Sequence, residues 1–152
     1  INTIKPGTTL GDLGYAIQSF AEAERTSIVR EFCGHGLGRI FHDAPNILHF
    51  GKAGQGDVLK AGMICTVEPM LNAGAPSVKV LNDGWTAVTK DKSLSAQYEH
   101  SVGVTEDGVV IFTNKIACGA GRASQAERNT IRIAHGGARG KVQRTKARER
   151  TR

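Results

Sequence analysis

The sequence predicts an α+β domain in which one helix covers a mostly antiparallel sheet. Thr9 followed by Asp12 resembles a capping box, the reciprocal side-chain and backbone pairing that opens many helices. Apolar residues then recur at three- and four-residue spacing, which predicts an amphipathic helix ending near Arg25. The residues on its apolar side are Leu10, Leu13, Ile17, Phe20 and Ala21. Short apolar segments separated by turn residues follow, and a helix followed by strands is typical of the α+β class.

Four segments after the helix predict β structure. They are a strand at 26–32, a strand at 62–71, a hairpin at 78–89 that turns at 82–84, and a hairpin at 95–113 that turns at 106–108. The first strand leads into a glycine-rich turn around His35. The second strand is apolar apart from Glu68, and a lone carboxylate inside such a strand is costly.

The positive charge of the chain is concentrated at its C-terminal end. The 152 residues carry a net charge of +6, but residues 1–114 hold 9 Lys and Arg against 12 Asp and Glu, a balance of −3. Residues 115–152 hold 11 against 2, a balance of +9, and they have few apolar side chains. Such a segment cannot bury enough apolar surface to offset its ordering entropy. The sequence therefore predicts a folded domain at 1–114 and a disordered basic tail at 115–152.

Cysteine content and hydropathy indicate the compartment. The three cysteines, Cys33, Cys65 and Cys118, are odd in number and widely spaced, with no C-x-x-C pair. This pattern argues against a disulfide framework or a zinc knuckle, and it favours the reducing cytoplasm. No apolar run approaches the roughly 18 residues that a membrane span needs, so we expect no membrane partner.

Three side chains are candidate metal ligands. His35 lies between two glycines, Glu68 lies in an apolar strand, and Glu99 lies on the less apolar face of a predicted strand. One imidazole and two carboxylates suit Mn, Fe, Co or Zn better than calcium. Each residue also has a structural interpretation. His35 could be a turn or core histidine, Glu68 could pair with an arginine, and Glu99 could be a solvated strand residue.

Three longer segments share one resemblance. They are "REFCGHGLGRIFHDAPNILHFG", "LKAGMICTVEPMLNAG" and "NDGWTAVTKDKSLSAQYEHSVGVTEDG". In order and spacing they resemble the C-terminal half of a type I methionine aminopeptidase, from about Ile1 to Thr113. Relatives that cleave before proline or hydrolyse creatine share the glycine-flanked histidine but not "VEPM" or "SAQYEH". The 33-residue interval from His35 to Glu68 leaves no room for the long helical insertion of the type II enzymes.

The resemblance implies a fold and a metal site. The fold would be the C-terminal half of a pita-bread domain, in which two pseudo-symmetric α/β halves surround a dinuclear metal site. His35 and Glu68 would be terminal ligands of one metal ion, and Glu99 would bridge two ions. The ions would be divalent Co, Mn, Fe or Zn.

The resemblance also implies an activity and its residues. The activity would be that of a metalloaminopeptidase, which removes the N-terminal methionine from nascent chains whose second residue is small. Glu68 would handle the proton of the attacking water. His42 would contact the substrate's peptide group and help to stabilise the tetrahedral intermediate. Phe41 and Trp85 would line the pocket for the methionine side chain.

One part of the family pattern is missing from this sequence. The two remaining family ligands are aspartates of the N-terminal half with ten residues between them, and no two aspartates here are eleven positions apart. The sequence therefore predicts that the N-terminal half is absent. It also predicts that at most one metal ion binds, and weakly, where the family holds two.

The basic tail supports an alternative hypothesis. Its arginine-rich sequence is either a nucleic-acid-binding arm or out-of-frame translation of GC-rich DNA. An arm would make the protein a non-enzymatic pita-bread relative that binds the ribosome or RNA. No aromatic residue of the tail is available to stack on bases. The two hypotheses differ in their need for His35, Glu68 and Glu99, which a pure binding module does not require.

Overall fold

A computed structural model describes residues 1–114 of the chain. The elements in chain order are the helix α1 (Leu10–Ala23) and the strands β1 (Ser27–Ile28), β2 (Gly34–Gly36), β3 (Asp43–Ile47), β4 (Ile64–Val67), β5 (Met70–Asn72), β6 (Val78–Val80), β7 (Ala87–Thr89), β8 (Ser95–Gln97), β9 (His100–Val104) and β10 (Val109–Ile111). The predicted tail at 115–152 lies outside the described residues. The domain boundary at 114 and the character of the tail therefore stay predictions.

Helix α1 begins at the predicted capping box. The Thr9 hydroxyl accepts a hydrogen bond from the Asp12 N–H at 3.1 Å, and the Asp12 carboxylate accepts one from the Thr9 N–H at 2.9 Å. The same carboxylate accepts the Gly54 N–H at 2.7 Å, so it also ties the helix start to a loop. The helix ends at Ala23, close to the predicted end. Local chemistry therefore sets the start of this element.

The strands form three antiparallel sheets within the described residues. The largest has five strands in the order β10–β9–β4–β2–β3, the second has the order β1–β5–β8, and β6 pairs with β7. One helix followed by antiparallel strands confirms the predicted α+β class.

The core lies between α1 and the five-stranded sheet. Leu13 of the helix is 1% exposed and belongs to one apolar cluster with Ile47 of β3, Cys65 of β4 and Val102 of β9. Fully burying a side chain of this kind contributes about 1.5–3 kcal/mol. Packing of the helix on the sheet therefore fixes three of the strands that carry the site.

Several predicted strand boundaries were wrong. Of the strand predicted at 26–32, only Ser27–Ile28 forms a strand. The run at 62–71 is two strands in different sheets, because Pro69 has no N–H to donate to a ladder. The segment at 95–113 also divides, since Ser95–Gln97 pairs with β5 and only its remainder forms the β9–β10 hairpin. Strands β2 and β3 were not predicted.

One residue of the predicted apolar helix face does not enter the core. Phe20 is 60% exposed, whereas Ala21 beside it is 2% exposed. The chain turns back after the helix, and both the N–H and the hydroxyl of Thr26 donate to the Ala21 carbonyl at 2.9 Å. This turn closes over the small side chain of Ala21, so the larger Phe20 stays outside.

The described residues give the state of two cysteines and the character of the helix. Cys33 and Cys65 are free thiols, while Cys118 lies beyond the described residues. Within residues 1–114, no helix combines the length and apolar composition that a membrane crossing needs.

Replacing Thr9 by alanine is expected to destabilise the domain by about 1 kcal/mol, because it removes the acceptor that caps the helix. The shift in the urea midpoint of unfolding measures this loss. Thr9→Ser is the matched control, since it retains the capping hydroxyl and should stay near the wild-type value. Equal midpoints for Thr9→Ala and Thr9→Ser would contradict a stabilising cap.

Candidate metal centre

The glycines on either side of His35 are required by close backbone contacts. A Cβ on Gly34 would lie 2.4 Å from the Thr66 carbonyl oxygen, and a Cβ on Gly36 would lie 2.1 Å from the Ala44 carbonyl oxygen. Atoms at those separations overlap, so neither neighbouring backbone could stay in place. Strand β2 therefore fits between β3 and β4 only because both flanking residues lack a side chain.

Strand β2 is irregular at His35. Gly34 pairs with Ile47 and Gly36 with Asp43, so the register with β3 shifts between His35 and Gly36. Such bulges bend a strand and redirect a side chain, and they occur often beside active sites. His35 is 9% exposed, which places its imidazole largely inside the domain.

The hydrogen bond of the His35 ring fixes its tautomer. Nδ1 lies 2.9 Å from the Gly36 carbonyl oxygen. A carbonyl oxygen can only accept, so Nδ1 carries the hydrogen and the Nε2 of the neutral ring carries a lone pair. Nε2 faces Oε1 of Glu68 at 3.8 Å, which is too long for a hydrogen bond. With the ring protonated this contact is an ion pair, and with the ring neutral two lone-pair atoms face each other where a cation fits.

Glu68 lies in the break between β4 and β5, and its carboxylate has two neutral partners. The Thr66 hydroxyl donates to Oε1 at 2.8 Å, and the Gln97 amide donates to Oε2 at 3.3 Å. Burial is the largest influence and raises the pKa of Glu68. The Thr66 hydrogen bond opposes this shift, and the negative charge of Glu99 adds to it. The Glu68 carboxylate therefore binds a proton more tightly than the carboxylate of a solvated glutamate does.

A second histidine supports the backbone of Glu68. His49 is 2% exposed, and its Nε2 accepts the Glu68 N–H at 3.1 Å. Burial lowers the pKa of His49 to about 4, so its ring is neutral near pH 7 and can accept this bond. The residue after Glu68 is a proline, and His49 therefore satisfies the last backbone donor before the sheet changes.

Two of the predicted substrate residues lie beside His35. The His42 ring lies 4.4 Å from the His35 ring and 4.6 Å from the Phe41 ring, measured between centroids. The Phe41 ring lies 5.5 Å from His35 and is 66% exposed. The three rings form one continuous surface that leads from solvent to the imidazole of His35.

The other two predicted site residues are placed differently. Glu99 was predicted inside a strand, but it lies exposed between β8 and β9, where its charge still acts on Glu68. Trp85 follows the turn of the β6–β7 hairpin and is 74% exposed. Among the described residues its ring makes no aromatic contact with the His35 cluster. The structure thus brings together His35, Glu68, His42 and Phe41.

The His35–Glu68 pair meets the geometric requirement for sharing a metal ion. Two ligand atoms bound at about 2.0–2.2 Å each are separated by less than about 4.4 Å, and 3.8 Å lies within that limit. The second ring nitrogen of His35 bonds to a carbonyl, as is usual for metal-binding histidines. Within residues 1–114, however, no group of three or more His, Cys, Asp or Glu is arranged to hold a metal ion. The described residues therefore bring two atoms to the spacing of metal ligands, which is fewer than the three protein ligands that a catalytic zinc site uses.

Sequence reasoning missed Thr66, Gln97 and His49. Thr66 had a usable signal, because it stands two residues before Glu68 in the strand predicted at 62–71, where both would share a face. Gln97 and His49 had none, because their contacts with Glu68 join segments that are far apart along the chain.

A buried histidine that faces a partly buried carboxylate is compatible with a metal-dependent hydrolase site. Similarity to known proteins defines the class. The model of metallopeptidase family M24 matches residues 1–106. The chain belongs to this family of metallopeptidases, whose activity depends on divalent metal ions.

The chain is similar to several methionine aminopeptidases. The chain is 58% identical over 113 residues to methionine aminopeptidase A of Synechocystis sp., and 57% identical over 114 residues to the methionine aminopeptidase of Rickettsia prowazekii. Crystal structures of methionine aminopeptidases from Rickettsia prowazekii and Thermotoga maritima superpose with a TM-score of 0.74 each, at 56% and 43% identity. These likenesses confirm the predicted family resemblance and the pita-bread fold.

The matched proteins are longer than this chain. The sequence matches cover 74% of the chain but 45% of the Synechocystis protein and 44% of the Rickettsia protein. The two crystal structures cover 75% and 76% of the chain, which in turn covers 46% of each. The chain therefore spans about half the length of the curated relatives it matches.

Replacing Gly36 by alanine is expected to destabilise the domain by about 1–3 kcal/mol, because the new Cβ forces β2 away from β3. Urea unfolding measures the change. The control is Gly108→Ala, where the nearest atom to an added Cβ is 4.0 Å away and the free energy of unfolding should change by less than about 0.5 kcal/mol. If the two variants were equally stable, close approach would not be what requires the glycine.

Proposed function

We propose that this chain carries part of the catalytic site of a metalloaminopeptidase that removes the N-terminal methionine from nascent proteins. The observation that supports this most directly is the buried His35–Glu68 pair, in which an imidazole lone pair faces a carboxylate. The similarity of the chain to methionine aminopeptidases supports an N-terminal methionine as the substrate.

His35 Nε2 and Glu68 Oε1 would hold a divalent metal ion, with Glu99 as a further ligand. One imidazole with carboxylates suits Mn, Fe, Co or Zn. The bound metal supplies Lewis-acid chemistry, polarising the scissile carbonyl and lowering the pKa of a bound water. Two facing ligands in the described residues support a single, weakly held ion in this chain.

Glu68 would accept a proton from the attacking water. Its position is suited to this role, because burial raises its pKa while the Thr66 and Gln97 hydrogen bonds hold the carboxylate in place. The half-buried carboxylate also has a route to solvent, since its side chain is 18% exposed.

His42 and Phe41 would contact the substrate. His42 lies edge-on to His35, which suits contact with a peptide group bound beside that imidazole. Phe41 provides an exposed apolar ring beside it, which suits contact with a methionine side chain. Trp85 would complete this apolar surface from the β6–β7 hairpin.

Because the proposed substrates are nascent chains, we expect this activity in the cytoplasm. The free thiols of Cys33 and Cys65 suit that reducing compartment.

The experiment is methionine release from the peptide Met-Gly-Met by the purified chain with Mn²⁺ or Co²⁺ added. We expect release that falls by about 10²–10⁴-fold in Glu68→Gln, because the variant cannot accept the proton. Glu99→Ala is the second variant, and residual release shared by both variants measures contaminating host enzyme.

Calorimetric titration with the same ions separates binding from catalysis. If wild type bound the metal ion but released methionine no faster than the two variants, catalysis by this chain alone would be contradicted. The chain would then keep only a metal-binding role. If the chain neither bound the metal ion nor released methionine, the proposal would be overturned.

A further inference from the structure

We propose that Thr66 is a positioning residue of this site, whose buried hydroxyl sets the Glu68 carboxylate against His35 before any metal ion binds. The proposal rests on the proposed function, and it assigns a role to a residue that is not itself a metal ligand.

The hydroxyl of Thr66 connects the two ligand residues directly. Thr66 is 1% exposed, and its Oγ1 accepts the His35 N–H at 2.9 Å. The same oxygen lies 2.8 Å from Glu68 Oε1 and 3.4 Å from the His35 carbonyl oxygen. A hydroxyl has one hydrogen to donate, and the shorter contact shows that it points to the carboxylate.

The backbone places Thr66 where it can make this connection. Gly36 pairs with Cys65 across β2 and β4, which sets His35 opposite Thr66 in the antiparallel register. Glu68 stands two residues beyond Thr66, just past the end of β4, and its carboxylate lies within hydrogen-bond distance of the Thr66 hydroxyl. The missing Cβ of Gly34 lets the two strands approach closely at this point, since an added Cβ would lie 2.4 Å from the Thr66 carbonyl oxygen.

The hydrogen bond from Thr66 to Glu68 leaves Glu68 Oε1 and His35 Nε2 available to a metal ion. Thr66 occupies one lone pair of Glu68 Oε1, and the remaining lone pair is available toward His35 Nε2 at 3.8 Å. The Gln97 hydrogen bond to Oε2 is longer, at 3.3 Å, and Gln97 is exposed. Thr66 is therefore the stronger and better-shielded of the two constraints on this carboxylate.

A general expectation follows for metal binding. Partners that hydrogen-bond to ligands orient them before the ion arrives, and removing one typically costs 10–100-fold in metal affinity. Without the Thr66 hydroxyl, the Glu68 side chain gains rotamers and the His35 N–H loses its acceptor. Binding would then have to order the carboxylate as well as hold the ion.

The test is calorimetric titration of Mn²⁺ into the full chain and its variants. We expect Thr66→Val, which keeps the shape and removes the hydroxyl, to weaken Mn²⁺ binding by about 10–100-fold. Thr66→Ser keeps the hydroxyl and should bind within about threefold of wild type. If wild type binds Mn²⁺, equal affinity of Thr66→Val and wild type would overturn the proposal, as would an equal loss in Thr66→Ser.

Thr89→Val is the matched control for a purely structural effect. Thr89 is also a buried strand residue, with 8% of its surface exposed, and it belongs to the separate β6–β7 sheet. Its hydroxyl donates to the Ser93 carbonyl at 2.8 Å. The variant loses a comparable hydrogen bond, so urea unfolding should show a similar loss of stability. Its Mn²⁺ affinity should match that of wild type, and a drop as large as that of Thr66→Val would mean that general destabilisation explains both.

A measurement without metal tests the role of Thr66 independently of the proposed function. In crystal structures of the metal-free chain, the Nε2–Oε1 distance between His35 and Glu68 should stay near 3.8 Å in Thr66→Ser. It should lengthen or become heterogeneous in Thr66→Val. If wild type binds no Mn²⁺ but this difference holds, the proposed function fails and the positioning role stands. An unchanged distance in Thr66→Val would overturn the positioning role by itself.

Discussion

The site depends on how closely three backbones approach one another around His35. Strand β2 lies between β3 and β4 with no room for a Cβ on either side of the histidine, and the Thr66 and Ala44 carbonyls occupy that space. This contact brings the His35 backbone to the Thr66 hydroxyl of β4, and it brings the imidazole to the Glu68 carboxylate just past the end of that strand. It also places the Gly36 carbonyl where it fixes the tautomer of the ring. A small change in strand spacing would alter all of these contacts together.

The break between β4 and β5 makes the second half of the site. Pro69 cannot continue the ladder, so the chain leaves one sheet and enters another at Glu68. A carboxylate in the middle of a buried strand would have no route to solvent, whereas one at this junction is only partly buried. The backbone N–H exposed by the break is satisfied by His49. The same interruption that ends the strand therefore gives Glu68 both its partial burial and its fixed backbone.

Features set by neighbouring residues could be predicted from the sequence, and features set by distant ones could not. The capping box at Thr9 and the β9–β10 hairpin depend on local spacing, and both were predicted. The low strand propensity of glycine predicts a turn where β2 forms. Glycines also allow close backbone approach, but a single sequence does not identify the two strands that approach β2. Glu68 was identified by its incongruous charge in an apolar run, but its contact with His49 joins segments that only the fold brings together. Thr66 was within reach of sequence reasoning, since residues two apart in a strand share a face.

Preorganisation matters more here than in a site with many ligands. Catalytic zinc sites commonly use three protein ligands, whereas the described residues bring two facing ligand atoms together, with Glu99 exposed nearby. With so few bonds to the metal, the free energy needed to order each ligand takes a larger share of the binding free energy. His35 is held by its ring bond to Gly36 and its backbone bond to Thr66. Glu68 is held by Thr66, Gln97 and His49. The affinity that this half of the fold can offer to a metal ion therefore depends on neutral groups that never touch the ion.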